Sequence, residues 1–205
     1  KADICMIGRA NLCEPEFCNK AQAGHEEDIR PCIGCLRCLN GIMFGKRVAC
    51  TVNPSLEPEN EDTITPAKET KNVLVIGGGP AGMEAAYVAA KRGHHVVLAD
   101  RQDSLGGTVR IAAVPIAKQD LTQLIKYQAH KLEQAGVKVL LNTEVTLETI
   151  QKDYPDYEVI LCAGATPVVP QFMTQFKDWM TADDVLYGRK FPGRKIVVIG
   201  GGSVG

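Results

Sequence analysis

Neither sign of charge dominates the 205 residues: 23 Lys and Arg stand against 24 Asp and Glu, a net charge of −1. That balance gives no electrostatic case for nucleic acid or an anionic membrane surface as a partner. Long apolar runs are missing too. Runs such as Val73–Ile76 and Val159–Cys162 fall far short of the roughly 20 residues that cross a bilayer. No secretory-type leader stands at residue 1. No short repeat, low-complexity tract or recognisable hydrolase triad appears. Hydrophobic content of 45% and charged content of 23% are ordinary for a soluble globular protein.

What is present is uneven along the chain. The sequence starts at Lys1, and residues 196–205 read as a strand running into a glycine turn that lacks its helix. Both ends therefore read as truncations of a longer polypeptide. Residues 1–30 read as a short strand, Ala2–Ile7, and then a helix over Glu16–Ala23. Pro15 fits its first turn and Gly24 its stop. A lone strand and helix cannot make a core, so they require a larger sheet or barrel. Residues 31–54 look loop-rich and 55–71 have linker composition, polar and acidic with two prolines. From Asn72 the pattern becomes α/β. Val73–Ile76 reads as a strand buried on both faces. An alanine-rich helix follows to Arg92, then a strand over Val96–Ala99. A helix over Asp120–Gln134 presents Leu121, Leu124, Ile125 and Leu132 on one stripe. Further strands are expected near Val137–Leu141, Glu158–Cys162 and Lys195–Ile199.

Three motifs carry chemistry. Gly77-x-Gly79-x-x-Gly82 lies between a strand and a helix, with Asp100 at the end of the next strand. Such glycines permit a tight turn, backbone approach to a pyrophosphate and close helix packing. The helix N-terminus, starting at Pro80 and Ala81, offers free N–H groups to the phosphates. Asp100 can accept from ribose hydroxyls, with Arg101 beside it. Leu105-Gly106-Gly107 adds backbone donors or is a plain turn. Second, Cys32, Cys35, Cys38 and Cys50 form C-x2-C-x2-C-x11-C. Four thiolates suit a cubane iron–sulfur cluster or a structural zinc, and three close cysteines plus a remote fourth favour the cluster. Without a leader, such spacing points to a reducing cytoplasm rather than disulfides. Third, Gly200-x-Gly202-x-x-Gly205 repeats the first motif, as expected when one unit binds a flavin dinucleotide and the other a nicotinamide dinucleotide. The other cysteines, Cys5, Cys13, Cys18 and Cys162, read as small buried apolar residues. His94 and His95 read as surface or strand-start residues. His25 and His130 show no partner.

The order of these motifs resembles the 2,4-dienoyl-CoA reductase, enoate reductase and trimethylamine dehydrogenase family. The resemblance rests on Gly8-Arg9, Arg30-Pro31-Cys32-Ile33-Gly34-Cys35-x-x-Cys38, Cys50-x-Val52-Asn53-Pro54 and Gly77-Gly78-Gly79-Pro80-Ala81-Gly82, and covers essentially the whole chain. It implies the end of a TIM-type barrel (1–30) with Gly8 and Arg9 at an FMN phosphate. A 4Fe–4S segment (31–54) would use Cys32, Cys35, Cys38 and Cys50 as ligands. After the linker (55–71) would come an FAD- or ADP-binding doubly wound domain (72–168) using Gly77, Gly79, Gly82, Asp100 and Gly107. Ala163 and Gly164 begin a small-residue turn near the flavin. An NAD(P)H-binding domain would begin over 169–205, with Gly200 and Gly202. The two-residue gap between Cys35 and Cys38 is the trimethylamine-dehydrogenase spacing, whereas the gap before Cys50 and the Val-Asn-Pro tail match the reductases. The subfamily stays open.

The implied parent is an oxidoreductase in which NAD(P)H feeds FAD, the cluster and then FMN, which reduces an activated carbon–carbon double bond of a small-molecule substrate. An amine dehydrogenase, an electron-feeding subunit like the glutamate synthase small subunit, and a zinc-stabilised non-enzymatic module are the alternatives. No residue of this chain is expected to be the catalytic acid. Homo-oligomer formation is left open.

Overall fold

The computed structural model describes residues 3–56, 64–202 and 204. Its centre is a parallel four-stranded sheet of β1 (Asn72–Ile76), β2 (His95–Ala99), β3 (Lys138–Leu140) and β4 (Tyr157–Leu161), in the order β3-β2-β1-β4. Residues at successive positions of β1 point to opposite faces, and both faces are covered. Val73 and Val75 pack with Met83, Ala86, Leu98 and Leu132 on one side. Leu74 packs with Val97 and Ala99 on the other, beneath Ile150, Tyr154 and Tyr157. Leu74, Met83, Leu98 and Leu132 are among the largest fully buried side chains. Each such burial is worth about 1.5–3 kcal/mol, so this double-sided core holds the domain together.

Helices α4 (Pro80–Lys91) and α6 (Leu121–Gln134) cover the first face. The expected stripe on α6 holds: Leu124 and Leu132 are buried, Leu121 and Ile125 half-buried. Between β2 and α6 lies the short α5 (Thr108–Ala112). Helix α7 (Leu147–Asp153) covers the second face. It starts with a reciprocal cap in which Thr146 Oγ1 accepts the Thr149 N–H at 3.2 Å and Thr149 Oγ1 accepts the Thr146 N–H at 3.3 Å. The later α8 (Ala182–Leu186) has the same device with Thr181 and Asp184.

Residues 3–56 contain three short helices, α1 (Arg9–Cys13), α2 (Phe17–Gln22) and α3 (Arg37–Met43). Two sequence expectations fail at the chain's flanks. The described part of the Ala2–Ile7 strand is irregular, with Ile4 89% and Met6 99% exposed. Residues 195–199 are also irregular and exposed rather than a strand. A strand exists only through pairing to a neighbour, and neither segment has one among the described residues. The cysteine region is not all loop: α3 lies inside it, and Gly41 packs so tightly against the Arg47 carbonyl that a Cβ would sit 2.6 Å from its oxygen. Cys5 and Cys18 are exposed, not buried, whereas Cys13 is fully buried and Cys162 half-buried. Of the linker, residues 57–63 lie outside the described residues. Among the described residues no helix is long and apolar enough to cross a membrane.

Candidate functional site

The sheet order creates a switch point. β2 lies on one side of β1 and β4 on the other, so the strand order reverses between β1 and β4. Open parallel sheets bind ligands in the crevice at this position. The glycine turn sits there. Gly77 has φ +112° and donates its N–H to Ala99 at 2.8 Å. A side chain at Gly77 would collide with the Cys162 carbonyl oxygen at the end of β4, and one at Gly82 with the Gly77 carbonyl oxygen. Both glycines are therefore demanded by close backbone approach. Pro80 is the first residue of α4, and Ala81 is exposed beside it.

A second glycine loop crosses the first. The Gly106 N–H donates to the Gly78 carbonyl at 2.8 Å, and a Cβ at Gly107 would lie 3.0 Å from Gly79 Cα. Leu105-Gly106-Gly107 is thus part of the turn's architecture. Asp100 braces the same place: one carboxylate oxygen accepts the Gly78 N–H, the other the Gln102 N–H at 2.7 Å. A carboxylate has acceptor capacity beyond two bonds, but Asp100 is spent first on holding the turn. Arg101 is exposed. Ala163 lies two residues past the end of β4, with its backbone N 3.2 Å from where a Gly77 Cβ would be, and Gly164 turns the chain with φ +73°. Gly200 and Gly202 are exposed in irregular backbone, and Gly205 lies outside the described residues.

The four cysteines come together as a second centre. Cys32, Cys35, Cys38 and Cys50 line one cavity with Arg9, Leu12, Ile33, Leu36 and Val52. Among the described residues no group of three or more His, Cys, Asp or Glu side chains is arranged to hold one metal ion directly. Burial alone would raise the Cys35 thiol. Bonds to it from the Thr51 hydroxyl, 3.1 Å away, and from backbone N–H groups outweigh this and hold its pKa below the usual thiol value. The adjacent Cys13 differs. Burial, reinforced by Cys50 and Cys32, pushes its thiol up to about 12, so it stays protonated and apolar. Gly8 precedes α1 and is exposed, while Arg9 stands at the cysteine cavity.

A family model, pyridine nucleotide-disulphide oxidoreductase, matches residues 71–205. The chain belongs to this family. In such pyridine nucleotide oxidoreductases a flavin works with NAD(P)H, which sets the coarse functional class. The cysteine segment lies outside the matched stretch but inside the likeness to whole enzymes. A metal reductase of Desulforamulus reducens is 38% identical over 210 residues, covering 100% of this chain and 31% of that protein. A cinnamate reductase of Clostridium sporogenes is 38% identical over 206 residues, again 100% of the chain and 31% of the relative. The solved 2-naphthoyl-CoA reductase aligns with TM-score 0.84 and 32% identity over 90% of this chain and 28% of that one. The resemblance read from the motifs therefore holds, and the chain spans about a third of the curated relatives it matches.

Sequence reasoning missed the polar groups between the two centres of this oxidoreductase chain. Arg30 Nη1 donates to Asn53 Oδ1 at 2.7 Å, and the Asn53 amide donates to the Leu12 carbonyl at 2.9 Å. Glu14 is buried and accepts from Lys20 Nζ at 2.6 Å and from the Arg30 N–H at 3.2 Å. Its burial works to raise the carboxyl pKa, but these partners outweigh it and hold the group below the usual range. His130 does have a partner: its Nε2 lies 3.1 Å from Asp28 Oδ1. His94 Nδ1 accepts the Lys71 N–H at 3.1 Å, at the start of β1, as a strand-start residue would.

Proposed function

We propose that the chain is the electron-input part of an NAD(P)H-dependent flavin and iron–sulfur oxidoreductase. In this reading the Gly77–Gly82 turn, Gly106, Gly107 and the Ala163-Gly164 turn hold FAD. Gly200, Gly202 and Gly205 begin the NAD(P)H site. Cys32, Cys35, Cys38 and Cys50 hold a 4Fe–4S cluster. The parent protein adds a barrel with FMN, contacted by Gly8, and reduces an activated carbon–carbon double bond.

The observation that carries the reading is the gathering of four thiols from a C-x2-C-x2-C-x11-C pattern around one cavity, on the same chain as a glycine turn at a sheet's switch point. Three closely spaced cysteines with a remote fourth suit a cluster better than a structural zinc, whose sites more often pair two C-x2-C knuckles. The cluster would supply one-electron transfer between two flavins that cannot exchange a hydride directly. The protein's part is to hold the sites in place and shape their surroundings. The first N–H groups of α4, at Ala81 and Gly82, offer amide donors to a pyrophosphate, Asp100 keeps the turn rigid, and Thr51 stabilises the charged form of Cys35. Both the cinnamate and the 2-naphthoyl-CoA reductases are named for unsaturated acids or thioesters, which supports an enoate-type substrate.

The test is anaerobic turnover of the full-length protein with NADH or NADPH and a panel of α,β-unsaturated acids and thioesters. The reading expects NAD(P)H oxidation coupled to the saturated product. Oxidation of secondary or tertiary amines without NAD(P)H consumption would replace it with the amine dehydrogenase alternative.

A further inference from the structure

The two centres are joined through polar side chains. Arg30 lies two residues before Cys32, and Asn53 three residues after Cys50. The 2.7 Å bond between them closes the cysteine segment on itself. Asn53 is 1% exposed and fully engaged: its Oδ1 also accepts the Ser55 N–H at 3.2 Å, and its amide holds Leu12. Arg30 and the buried Tyr127 of α6 line the same cavity and interact electrostatically there. The next residue, Gln128, is buried and donates to the Pro80 carbonyl at 3.2 Å and to Glu84 at 3.3 Å. Pro80 is the first residue of α4, directly after the glycine turn. Hydrogen bonds at both ends and a shared cavity between Arg30 and Tyr127 thus link the cysteine segment to the dinucleotide turn.

Asp28 adds a second tie, to His130 at 3.1 Å and Gln134 at 2.8 Å, but it is farther along the chain from the cysteines. Arg30 stands at the cysteine segment's own closure and beside α6 at once. A guanidinium fork can do this because its donors lie in one rigid plane.

We propose that Arg30 is a positioning residue that fixes the four-cysteine cavity relative to the glycine turn, through Asn53 on one side and Tyr127 and Gln128 on the other. The proposal rests on the cluster reading above. It gives electron passage between the two centres a fixed separation, which a relay needs and which a polar interface without such a bridge would not guarantee.

The test uses the full-length holoprotein, anaerobically purified, as wild type and as Arg30→Gln, Arg30→Lys and Tyr127→Phe. Three quantities are read: iron and sulfide content, amide hydrogen exchange of residues 30–53 and 121–134, and the rates of flavin and iron–sulfur bleaching after NAD(P)H addition. In Arg30→Gln, exchange should quicken about tenfold or more in both segments, as expected for losing a charge-assisted bond. Iron–sulfur bleaching should slow while flavin bleaching keeps its rate. Arg30→Lys restores the charge but not the fork, so its exchange should stay fast. Should Arg30→Gln fail to fold, Tyr127→Phe decides: it removes only the link to α6, and exchange must still rise in both segments. Faster exchange confined to 30–53, unchanged bleaching, or full rescue by lysine would overturn the positioning role. Absence of iron and sulfide in the wild type would overturn the cluster reading and the proposal with it, a result distinct from failure of the bridge alone.

Discussion

The α/β unit of residues 72–162 and the cysteine segment of residues 9–56 are held by different forces. The first has an apolar core on both faces of a four-stranded sheet. The second buries only one hydrophobic side chain among its described residues, Cys13. It is closed instead by Arg30, Asn53, Glu14 and Lys20. An apolar core is cooperative and tolerant of small changes at its edge. A set of polar staples loses much when one member goes, because the partner is left buried and unpaired. The difference teaches that the dinucleotide unit folds by its own burial, whereas the cysteine segment depends on its staples and on whatever its thiols hold.

The largest expected effect breaks the first region. In Gly82→Ala the new methyl meets the Gly77 carbonyl, which belongs to the turn and cannot step aside. The cost should be about 3 kcal/mol or more, seen as a large fall in Tm and loss of bound flavin. Next comes the second region. Asn53→Ala removes bonds to Arg30, Leu12 and Ser55 and leaves a guanidinium short of a partner, a loss of about 2–3 kcal/mol. Limited proteolysis should then cut within 9–56 while the sheet unit stays intact. Simultaneous loss of both regions would mean they are one cooperative unit.

A milder contrast comes from pH. Glu14 is held below the usual carboxylate pKa when folded, so its ionised form stabilises the fold. That contribution is complete above the unfolded Glu pKa and disappears as pH falls through the lower folded value. Acid titration followed by hydrogen exchange should therefore open residues 9–30 as pH drops below the ordinary Glu range, and Glu14→Gln should flatten that response. The smallest effect is expected at Lys71–Glu158, an exposed pair 2.8 Å apart on the sheet's edge. Glu158→Gln should leave the thermal melt unchanged within error, since exposed pairs contribute little.

The same contrast decides what could be read from the sequence. β1, α4, β2 and α6 were legible because each hydrophobic run or stripe matches the core it enters, as Val73–Ile76 and Leu124 with Leu132 do. The glycine turn was legible because close approach at Gly77 and Gly82 admits nothing larger. The cysteine set was legible from spacing alone. Helix α3 was not, since Gly41 sits within it and its faces carry no stripe matched to a core. α7 and α8 start with Thr146-x-x-Thr149 and Thr181-x-x-Asp184, caps that lack the Glu or Gln of the usual signature. The apolar runs at 3–7 and 195–199 read as strands because periodicity reports a preference, while pairing is decided by neighbours. Arg30, Tyr127 and His130 escaped notice because their partners lie far away in sequence: Asn53 is 23 positions from Arg30 and Asp28 is 102 from His130.

The central claim is that the four thiols hold an iron–sulfur cluster beside a flavin-binding turn. The most direct measurement is iron, acid-labile sulfide and zinc in anaerobically purified full-length protein, with Cys50→Ala as control. Iron and sulfide in equal amounts, lost in Cys50→Ala while flavin is retained, is the predicted result. Zinc in place of iron, with no sulfide, would make the cysteine segment a structural clip and contradict the account.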